Sequence, residues 1–251
     1  MKLSDIGYVS PSLINLFVRD KAKFIMKIAN LDDFDGNTAT LRGQAVESAL
    51  LTAPFYRHKT EEELVTDALA FFSAELLGLS QKQDEKKVDQ ERKAIPDYIR
   101  TGLQTYRSID DTPIDTQGKI TLELKEVSVP IIGYYDIAFE NHIRDLKTTK
   151  AIKSTLPHST QRQLAIYSYA TKKDAWVDYV SRKNIVSTKI GNVKKTVEQV
   201  IYICQAIEKF LLLSSDIKEL AHIFFPNQDS WEWTEDDINN YKKTGVRNDI
   251  L

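Results

Sequence analysis

The spacing of apolar positions changes along the chain. From Ser10 to about Ala29 it is helical, with Ser10 as a good N-cap and Pro11 suited to the first turn. The same spacing predicts helices in three further segments: 40–51, 60–77 and 85–106. Thr60 to Glu63 have the form of a capping box, and Pro96 should interrupt the last of these helices. We therefore predict a helical N-terminal region.

Alternation of apolar and polar residues begins at Lys119, after a polar segment (108–118) that we predict to be a loop. It predicts three strands, the last two joined as a hairpin by a turn at 140–142: 119–129, 131–139 and 143–148. After a linker at 150–157, the remaining predicted elements are helix 159–171, strands 175–180 and 185–190, helix 194–214 and a short helix from Thr234.

This order of elements is typical of an α/β fold. We expect a central mixed β-sheet flanked by helices, with a helical N-terminal elaboration. No repeat, low-complexity segment or clear interdomain linker is present. We therefore expect one domain over 1–251, with a core at about 40–192, a helical elaboration at about 55–110 and a helical C-terminus at about 194–251.

The predicted hairpin carries two acids and a lysine. Asp136 lies on its first strand, and Asp145 and Lys147 lie on its second. Side chains alternate faces along a strand, so Asp145 and Lys147 share a face while Leu146 takes the other. An antiparallel return brings Asp136 towards that pair. The hairpin therefore predicts a site for a hard divalent cation and a phosphate.

Composition limits the alternatives. The 251 residues are 42% hydrophobic, which is enough for a sizeable core. No apolar run approaches the roughly 20 residues that span a bilayer, and the first residues lack an apolar signal-peptide core. A single cysteine, Cys204, excludes an intrachain disulfide and any site that needs several thiolates from this chain. A reducing, cytoplasmic setting fits best.

Charge is unevenly distributed. The net charge of −2 argues against a generic nucleic-acid binder. Yet the segment from Arg144 to Lys195 holds twelve Lys or Arg against three Asp or Glu. A charge run is usually a solvated face. Because this one begins at the acidic hairpin, we interpret it as a surface for a phosphate backbone.

Glu47 is unusual for its neighbours, since it lies among Ala45, Val46, Ala49 and Leu50 in a predicted helix. It could face solvent or pair with a lysine. If it is partly buried, an unpaired carboxylate is costly, and a cation shared with the two aspartates would offset that cost.

Gln163 and Tyr167 are four residues apart on a predicted helix and so share a face. One interpretation makes Tyr167 a core residue and Gln163 a surface residue. The other points both side chains into a cleft beside the hairpin, where they hold a nucleotide strand.

The remaining candidates have mainly structural interpretations. His142 and His158 have no metal-like partner at useful spacing, and Cys204 lies on the apolar side of a helix. Trp231 and Trp233 are more typical of packing anchors than of base-stacking platforms. The sequence has no P-loop, no Gly-x-Gly-x-x-Gly dinucleotide loop and no Gly-x-Ser-x-Gly nucleophile elbow.

Taken together, these residues resemble the PD-(D/E)XK nuclease superfamily, specifically its RecB-like and lambda-exonuclease-like branch. Four motifs of that branch match in its order: Gly43-Gln-Ala-Val-Glu47, Gly133-Tyr-Tyr-Asp136, Asp145-Leu-Lys-Thr148 and Gln163-Leu-Ala-Ile-Tyr167. The opening Ser10-Pro-Ser-Leu-Ile-Asn-Leu-Phe17 is also similar to the start of this branch. The resemblance implies a restriction-endonuclease-like core.

The resemblance also implies roles for these residues. Glu47, Asp136, Asp145 and the backbone carbonyl of Leu146 would hold one or two metal ions, and Lys147 would orient or activate a water and offset charge. Glutamate at position 47, where many RecB-like members have histidine, favours Mg²⁺ or Mn²⁺. One cysteine excludes the iron–sulfur cluster that several relatives hold with four.

The function that follows is a divalent-metal-dependent DNA exonuclease of recombination or repair, of the compact kind found in phages and bacteria. Gln163, Tyr167, Arg162 and Lys150 would bind the substrate, and a single-strand annealing or recombination protein is a further expected partner. Three alternatives remain open: an endonuclease of the same superfamily, a non-catalytic DNA-end-binding or scaffold protein, and an α/β protein without a nucleic-acid role. The expected location is the cytoplasm of a bacterial or phage-infected cell.

Overall fold

The structure is a computed structural model that describes residues 2–30, 36–79, 83–224, 226, 233 and 235–242. The chain divides into two compact units. The first unit comprises Met1–Phe34, Ile120–Gly133 and Asn192–Leu251, and the second comprises Asp35–Lys119 and Tyr134–Gly191. Within the described ranges, no helix is long and apolar enough to cross a membrane.

The helices and strands follow in chain order: α1 (Leu3–Ile6), α2 (Pro11–Arg19), α3 (Lys21–Ile28), α4 (Thr38–Thr52), α5 (Glu61–Gly78), α6 (Glu85–Tyr106), β1 (Pro113–Leu122), β2 (Ile131–Phe139), β3 (His142–Thr148), α7 (His158–Thr171), β4 (Asp174–Val180), β5 (Ile185–Lys189), α8 (Val193–Leu211), α9 (Ile217–Ala221) and α10 (Glu235–Lys242).

The strands form one sheet in the order β1-β2-β3-β4-β5. β2 and β3 pair antiparallel, β3 and β4 pair parallel, and β4 and β5 pair antiparallel. Helix α7 makes the crossover between β3 and β4, since parallel neighbours need such a connection. The prediction of an α/β fold with a mixed sheet flanked by helices is confirmed.

The hairpin of β2 and β3 turns at Glu140 and Asn141, as predicted. Asp111 holds this turn, because its carboxylate accepts hydrogen bonds from the backbone N–H of Asn141 at 3.0 Å and from its side-chain amide at 3.1 Å. The ring of His142 stacks on Phe139, with centroids 4.6 Å apart, and its Nδ1 lies 2.8 Å from Asp111 Oδ2. His142 is therefore a structural residue, as expected.

The core of the second unit lies where α4 packs against α5, α6 and β3. Close helix packing depends on Gly102 of α6, where an added Cβ would lie 2.3 Å from Leu50 Cδ1. Helix α5 begins with the predicted capping box, in which Thr60 and Glu63 bond each other's backbone N–H.

The first unit has a separate aromatic core. Phe17 of α2 packs edge-on to Phe24 of α3 at 5.1 Å between ring centroids, and Phe210 of α8 lies 5.8 Å from Phe17. Trp233 is buried and donates from Nε1 to Asp20 at 2.8 Å, so it is a packing anchor, as expected. Trp231 lies outside the described residues.

Two helix predictions were wrong. The first helix is not continuous to Ala29, because it ends at Arg19 and Asp20 caps α3 by accepting from the N–H of Lys23 at 3.0 Å. Pro96 does not interrupt α6, which is continuous around it. Buried Ile95 and Ile99 on either side pack into the core, and this packing offsets the backbone hydrogen bond that proline lacks.

The predictions around β1 were also wrong. The strand begins at Pro113, inside the segment predicted as loop, and it ends at Leu122 rather than Val129. Its first half is polar because β1 is an edge strand, so the apolar alternation that marks a half-buried strand is missing there. Beyond it, Val127 N–H donates to the carbonyl of Leu124 in a turn.

Candidate active site

The hairpin brings its two aspartates together. Ile137 pairs with Arg144, and the next residues along the two strands are Asp136 and Asp145. Asp136 Oδ2 accepts a hydrogen bond from the backbone N–H of Leu146 at 2.5 Å. The side chain of Asp136 therefore reaches across to β3, as the antiparallel return predicts.

Asp145 is 2% exposed and forms the centre of the group. Its Oδ2 lies 2.7 Å from Nζ of Lys147, two residues along the same strand face. Its Oδ1 accepts a hydrogen bond from Nε2 of Gln163 at 2.9 Å. Oδ2 is buried, and no described residue donates a hydrogen bond of good geometry to it. Among the described residues, its sole polar contact is the ion pair with Lys147.

Glu47 approaches the aspartates from α4 and is half-buried. Burial and the charge of Asp145 raise its pKa, and the hydrogen bond from Gln117 acts in the opposite direction. Burial raises the pKa of Asp136 well above its usual range, and the charges of Asp145 and Glu47 raise it further. The three predicted acids therefore act on one another electrostatically, although three different elements carry them.

These carboxylates match a hard divalent cation in chemical type. They supply only oxygen ligands, and their negative charges repel one another. Asp145 Oδ2 is also buried and has a single polar contact among the described residues. However, no group of three or more His, Cys, Asp or Glu side chains among the described residues is arranged to hold a metal ion. Each acid instead engages a protein donor: Glu47 with Gln117, Asp136 with Leu146, and Asp145 with Gln163 and Lys147.

Lys147 is held in its protonated form. Burial lowers its pKa, but the charge of Asp145 and the contact with it outweigh burial, so the pKa rises above its usual range. A lysine in this state donates hydrogen bonds and stabilises negative charge. It is a poor proton acceptor.

Helix α7 places Gln163 beside the acids. Gln163 Nε2 donates to Asp145 Oδ1 and also lies 3.0 Å from the hydroxyl of Tyr167, one turn later. Tyr167 is buried, and burial raises its pKa to about 12. The interpretation of Tyr167 as a core residue fits this position, whereas Gln163 is a half-buried partner of Asp145 rather than a surface residue.

The two predicted basic substrate contacts lie in different surroundings. Lys150 follows β3, its side chain is 80% exposed, and its Nζ lies 3.5 Å from Glu91. Arg162 on α7 is half-buried, and burial lowers the pKa of its guanidinium.

Several basic residues of the segment are paired with acids, either within the segment, as Arg144 is with Asp178, or elsewhere in the second unit, as Arg182 is with Asp97. Arg144 is buried and bonds both carboxylate oxygens of Asp178, at 2.7 and 2.9 Å, so it contributes nothing to a basic surface. Arg182 bonds Asp97 at 2.6 Å. The formal charge excess of the segment therefore overstates the positive charge of its surface.

Two residues that were not predicted from the sequence contact residues of the motifs. Gln117 on β1 donates from Nε2 to Glu47 Oε1 at 2.5 Å. Arg42 on α4 is buried, bonds Glu91 at 2.5 Å and donates to Thr148 Oγ1 at 3.3 Å. Arg42 directly precedes the glycine of the first motif, which is a signal that could have found it, but nothing in the sequence around Gln117 marks that residue.

The close approach of α4 to β3 explains the glycine at position 43, where the first motif starts. An added Cβ at Gly43 would lie 3.1 Å from Thr148 Oγ1, so the residue allows α4 to approach the end of β3. Glu47 lies one turn further along the same helix face. Close contact at Gly43 therefore helps to bring Glu47 towards the aspartates.

Cys204 and His158 were both expected to have structural roles. Cys204 is buried on α8, and burial raises the pKa of its thiol to about 12. His158 is exposed at the start of α7.

No protein-family model matches this chain, and no curated protein matches it either. Among solved structures, the crystal structure of SSO0001 is similar at 13% identity and a TM-score of 0.36, over 79% of this chain and 88% of that chain. A likeness of this size carries no argument about fold or activity. The resemblance to the PD-(D/E)XK nucleases therefore stays a prediction.

Proposed function

We propose that this protein is a divalent-metal-dependent deoxyribonuclease that hydrolyses phosphodiester bonds from DNA ends, in recombination or repair. The observation that carries the proposal is the buried Asp145, which contacts Lys147 at 2.7 Å and Gln163 at 2.9 Å beside the electrostatically linked Asp136 and Glu47. This one cluster unites residues from all four motifs.

Glu47, Asp136, Asp145 and the backbone carbonyl of Leu146 would hold Mg²⁺ or Mn²⁺. A cation bound there would lower the pKa of a water and would stabilise negative charge on the phosphate. The raised pKa values of Glu47 and Asp136 support this assignment, because a nearby cation would offset both the burial and the mutual repulsion that raise them.

Lys147 then serves as an electrostatic group rather than a general base. Its raised pKa keeps it protonated at neutral pH, so it can donate to a phosphate oxygen and stabilise the charge that builds there. The contact with Asp145 fixes its position before the substrate arrives.

Gln163 would hold Asp145 in place and present its amide to the DNA strand. It already spans Asp145 and Tyr167, so the buried tyrosine anchors it. Lys150 is exposed and free to swing towards a phosphate at little cost, because its contact with Glu91 is long and solvated. Arg162 is the second basic residue that we assign to the DNA backbone.

The decisive experiment compares linear and closed circular DNA. End-labelled linear duplex and covalently closed circles are incubated with Mg²⁺, with Mn²⁺ or with a chelator, using the wild type and Lys147→Ala. We expect metal-dependent digestion of the linear DNA by the wild type and near-complete loss in Lys147→Ala. Lys93→Ala is the matched control, because Lys93 is exposed on α6, lies outside the basic segment and pairs with Asp89 rather than with the acids of the site.

Each possible result distinguishes one alternative function from the proposed one. Equal digestion by wild type and Lys147→Ala would contradict the active-site assignment. Cutting of closed circles identifies an endonuclease of the same class. Tight binding to DNA ends with no cleavage in either metal identifies a non-catalytic end-binding protein.

A further inference from the structure

A cavity of about 660 Å³ opens beside Glu47, within the second unit. Its volume lies in the range of small-molecule sites, about 300–1,000 Å³. Its lining includes three aromatic and three acidic residues: Phe55, Tyr56, Phe71, Glu47, Glu75 and Asp115. Glu47 belongs both to this wall and to the carboxylate group described above.

Two of the aromatic rings are exposed at the end of α4. Phe55 is 40% exposed and Tyr56 is 52% exposed. Their backbone N–H groups both donate to the carbonyl of Thr52, at 3.2 and 3.0 Å, so a turn with defined hydrogen bonds carries them. Exposed rings on an ordered turn are suited to stack on the flat face of a ligand.

The charge of the wall restricts that ligand. Three carboxylates line the cavity, and none of its lining residues is Lys, Arg or His. A phosphate would therefore be repelled. Glu75 on α5 is exposed and engaged by none of the described residues, so its carboxylate is available to accept a hydrogen bond.

We propose that this cavity holds a nucleobase of the DNA strand being cut and favours bases with an exocyclic amino group over thymine. The inference rests on the proposed function, because the base would belong to a nucleotide whose phosphate lies at the carboxylates. The rings of Phe55 and Tyr56 stack on the base, and Glu75 accepts a hydrogen bond from the amino group. A base combines a flat face with N–H donors and carries no negative charge, and all three features match the wall.

The test measures binding without cleavage. Fluorescence anisotropy follows Lys147→Ala with labelled single strands of dA, dC, dT or abasic sugar-phosphate, in Ca²⁺. We expect the abasic strand to bind about tenfold more weakly than dA, as for other aromatic stacking sites. Adding Tyr56→Ala or Phe55→Ala should remove most of that difference. Adding Glu75→Gln should narrow the gap between dA or dC and dT and leave abasic binding unchanged.

Tyr169→Ala is the matched control, because Tyr169 is an exposed aromatic residue of the same unit outside the cavity. It should leave the base dependence intact. Equal binding of dA and abasic strands overturns the base pocket while the proposed function stands, provided that the wild type digests DNA. Absence of binding to every strand, together with absence of digestion by the wild type, overturns both.

Discussion

Gln117 Nε2 donates a hydrogen bond to Glu47 Oε1 across 2.5 Å, although the two residues are 70 positions apart in the chain. Gln117 adopts a left-handed backbone with φ of 54°, which is uncommon for a residue other than glycine. The following Gly118 is buried, and a Cβ there would lie 2.1 Å from the hydroxyl oxygen of Tyr135. Gln117 therefore reaches Glu47 from an uncommon backbone conformation, and we assign it a positioning role for that acid.

Replacing Gln117 with methionine should weaken Mn²⁺ binding on the order of 10-fold, as loss of a residue that orients a metal ligand typically does. Methionine keeps the length of the side chain but cannot donate to Glu47. Isothermal titration calorimetry without DNA measures the change. Gln44→Met is the control, since Gln44 lines the same cavity without a hydrogen bond to Glu47 among the described residues. Equal affinities in both variants would contradict the positioning role.

Glu47→Ala should reduce metal affinity by more than Gln117→Met does and leave the fold intact. Alanine suits a helix interior, and Glu47 is only half-buried on α4. The same titration, together with thermal unfolding in a chelator, measures both effects. Ser48→Ala, at the exposed neighbouring position, should change neither. Unchanged metal affinity in Glu47→Ala would remove Glu47 from the site.

Asp136→Asn should stabilise the metal-free protein at pH 7. The pKa of Asp136 is raised in the folded state, so ionisation penalises folding once the pH exceeds its value in the unfolded chain. Asparagine keeps an acceptor for the N–H of Leu146 and lacks the charge. We expect a gain in the free energy of unfolding, because the neutral amide removes the cost of a buried charge.

The direction of this stability change can be checked by varying the pH. In a chelator, the advantage of Asp136→Asn should shrink as the pH falls through the folded-state pKa of Asp136, because the wild-type carboxyl then becomes protonated. Urea unfolding at several pH values measures it. Asp110→Asn, at an exposed position in the same unit, is the control for the loss of one negative charge. A pH-independent difference would contradict the linkage.

Asp178→Asn should destabilise the protein by about 3–5 kcal/mol, the cost of leaving a buried charge unpaired. The charge is that of Arg144, which bonds both oxygens of Asp178 while Tyr106 donates to one of them at 3.0 Å. Asp174→Asn is the control on the same strand, because its pair with Lys189 is solvent-exposed and worth less than about 1 kcal/mol. Urea unfolding of the two variants measures the contrast.

The parts of the fold that the sequence predicted are those where one pattern dominates. The β2–β3 hairpin and α7 have a clear period, and their boundaries agree with prediction to within a residue or two. The prediction of a break at Pro96 was wrong because it considered only local chain geometry. The contacts of Ile95 and Ile99 with the core keep α6 continuous. Such contacts join segments distant in sequence, so a local pattern does not contain them.

The same distinction applies to the site. Asp145 and Lys147 could be paired from strand alternation alone, since they are two residues apart. Gln117 could not be found, because it lies in the polar half of an edge strand that has no visible period. Arg144 was assigned to a basic surface because its charge is visible in the sequence, whereas its pairing with Asp178 on a parallel neighbouring strand is not.

In the proposed metal site, the contact at Gly43 would also influence the size of ion that the acids can share. Strand pairing fixes the distance between Asp136 and Asp145. Glu47 instead lies on α4, and the distance of α4 from β3 is limited by the contact between Gly43 and Thr148. A methyl group at position 43 would lie 3.1 Å from Thr148 Oγ1, so either the Thr148 side chain or α4 would have to give by a few tenths of an ångström. Discrimination between the small Mg²⁺ and the larger Ca²⁺ would then depend on a residue that has no side chain and touches no ion.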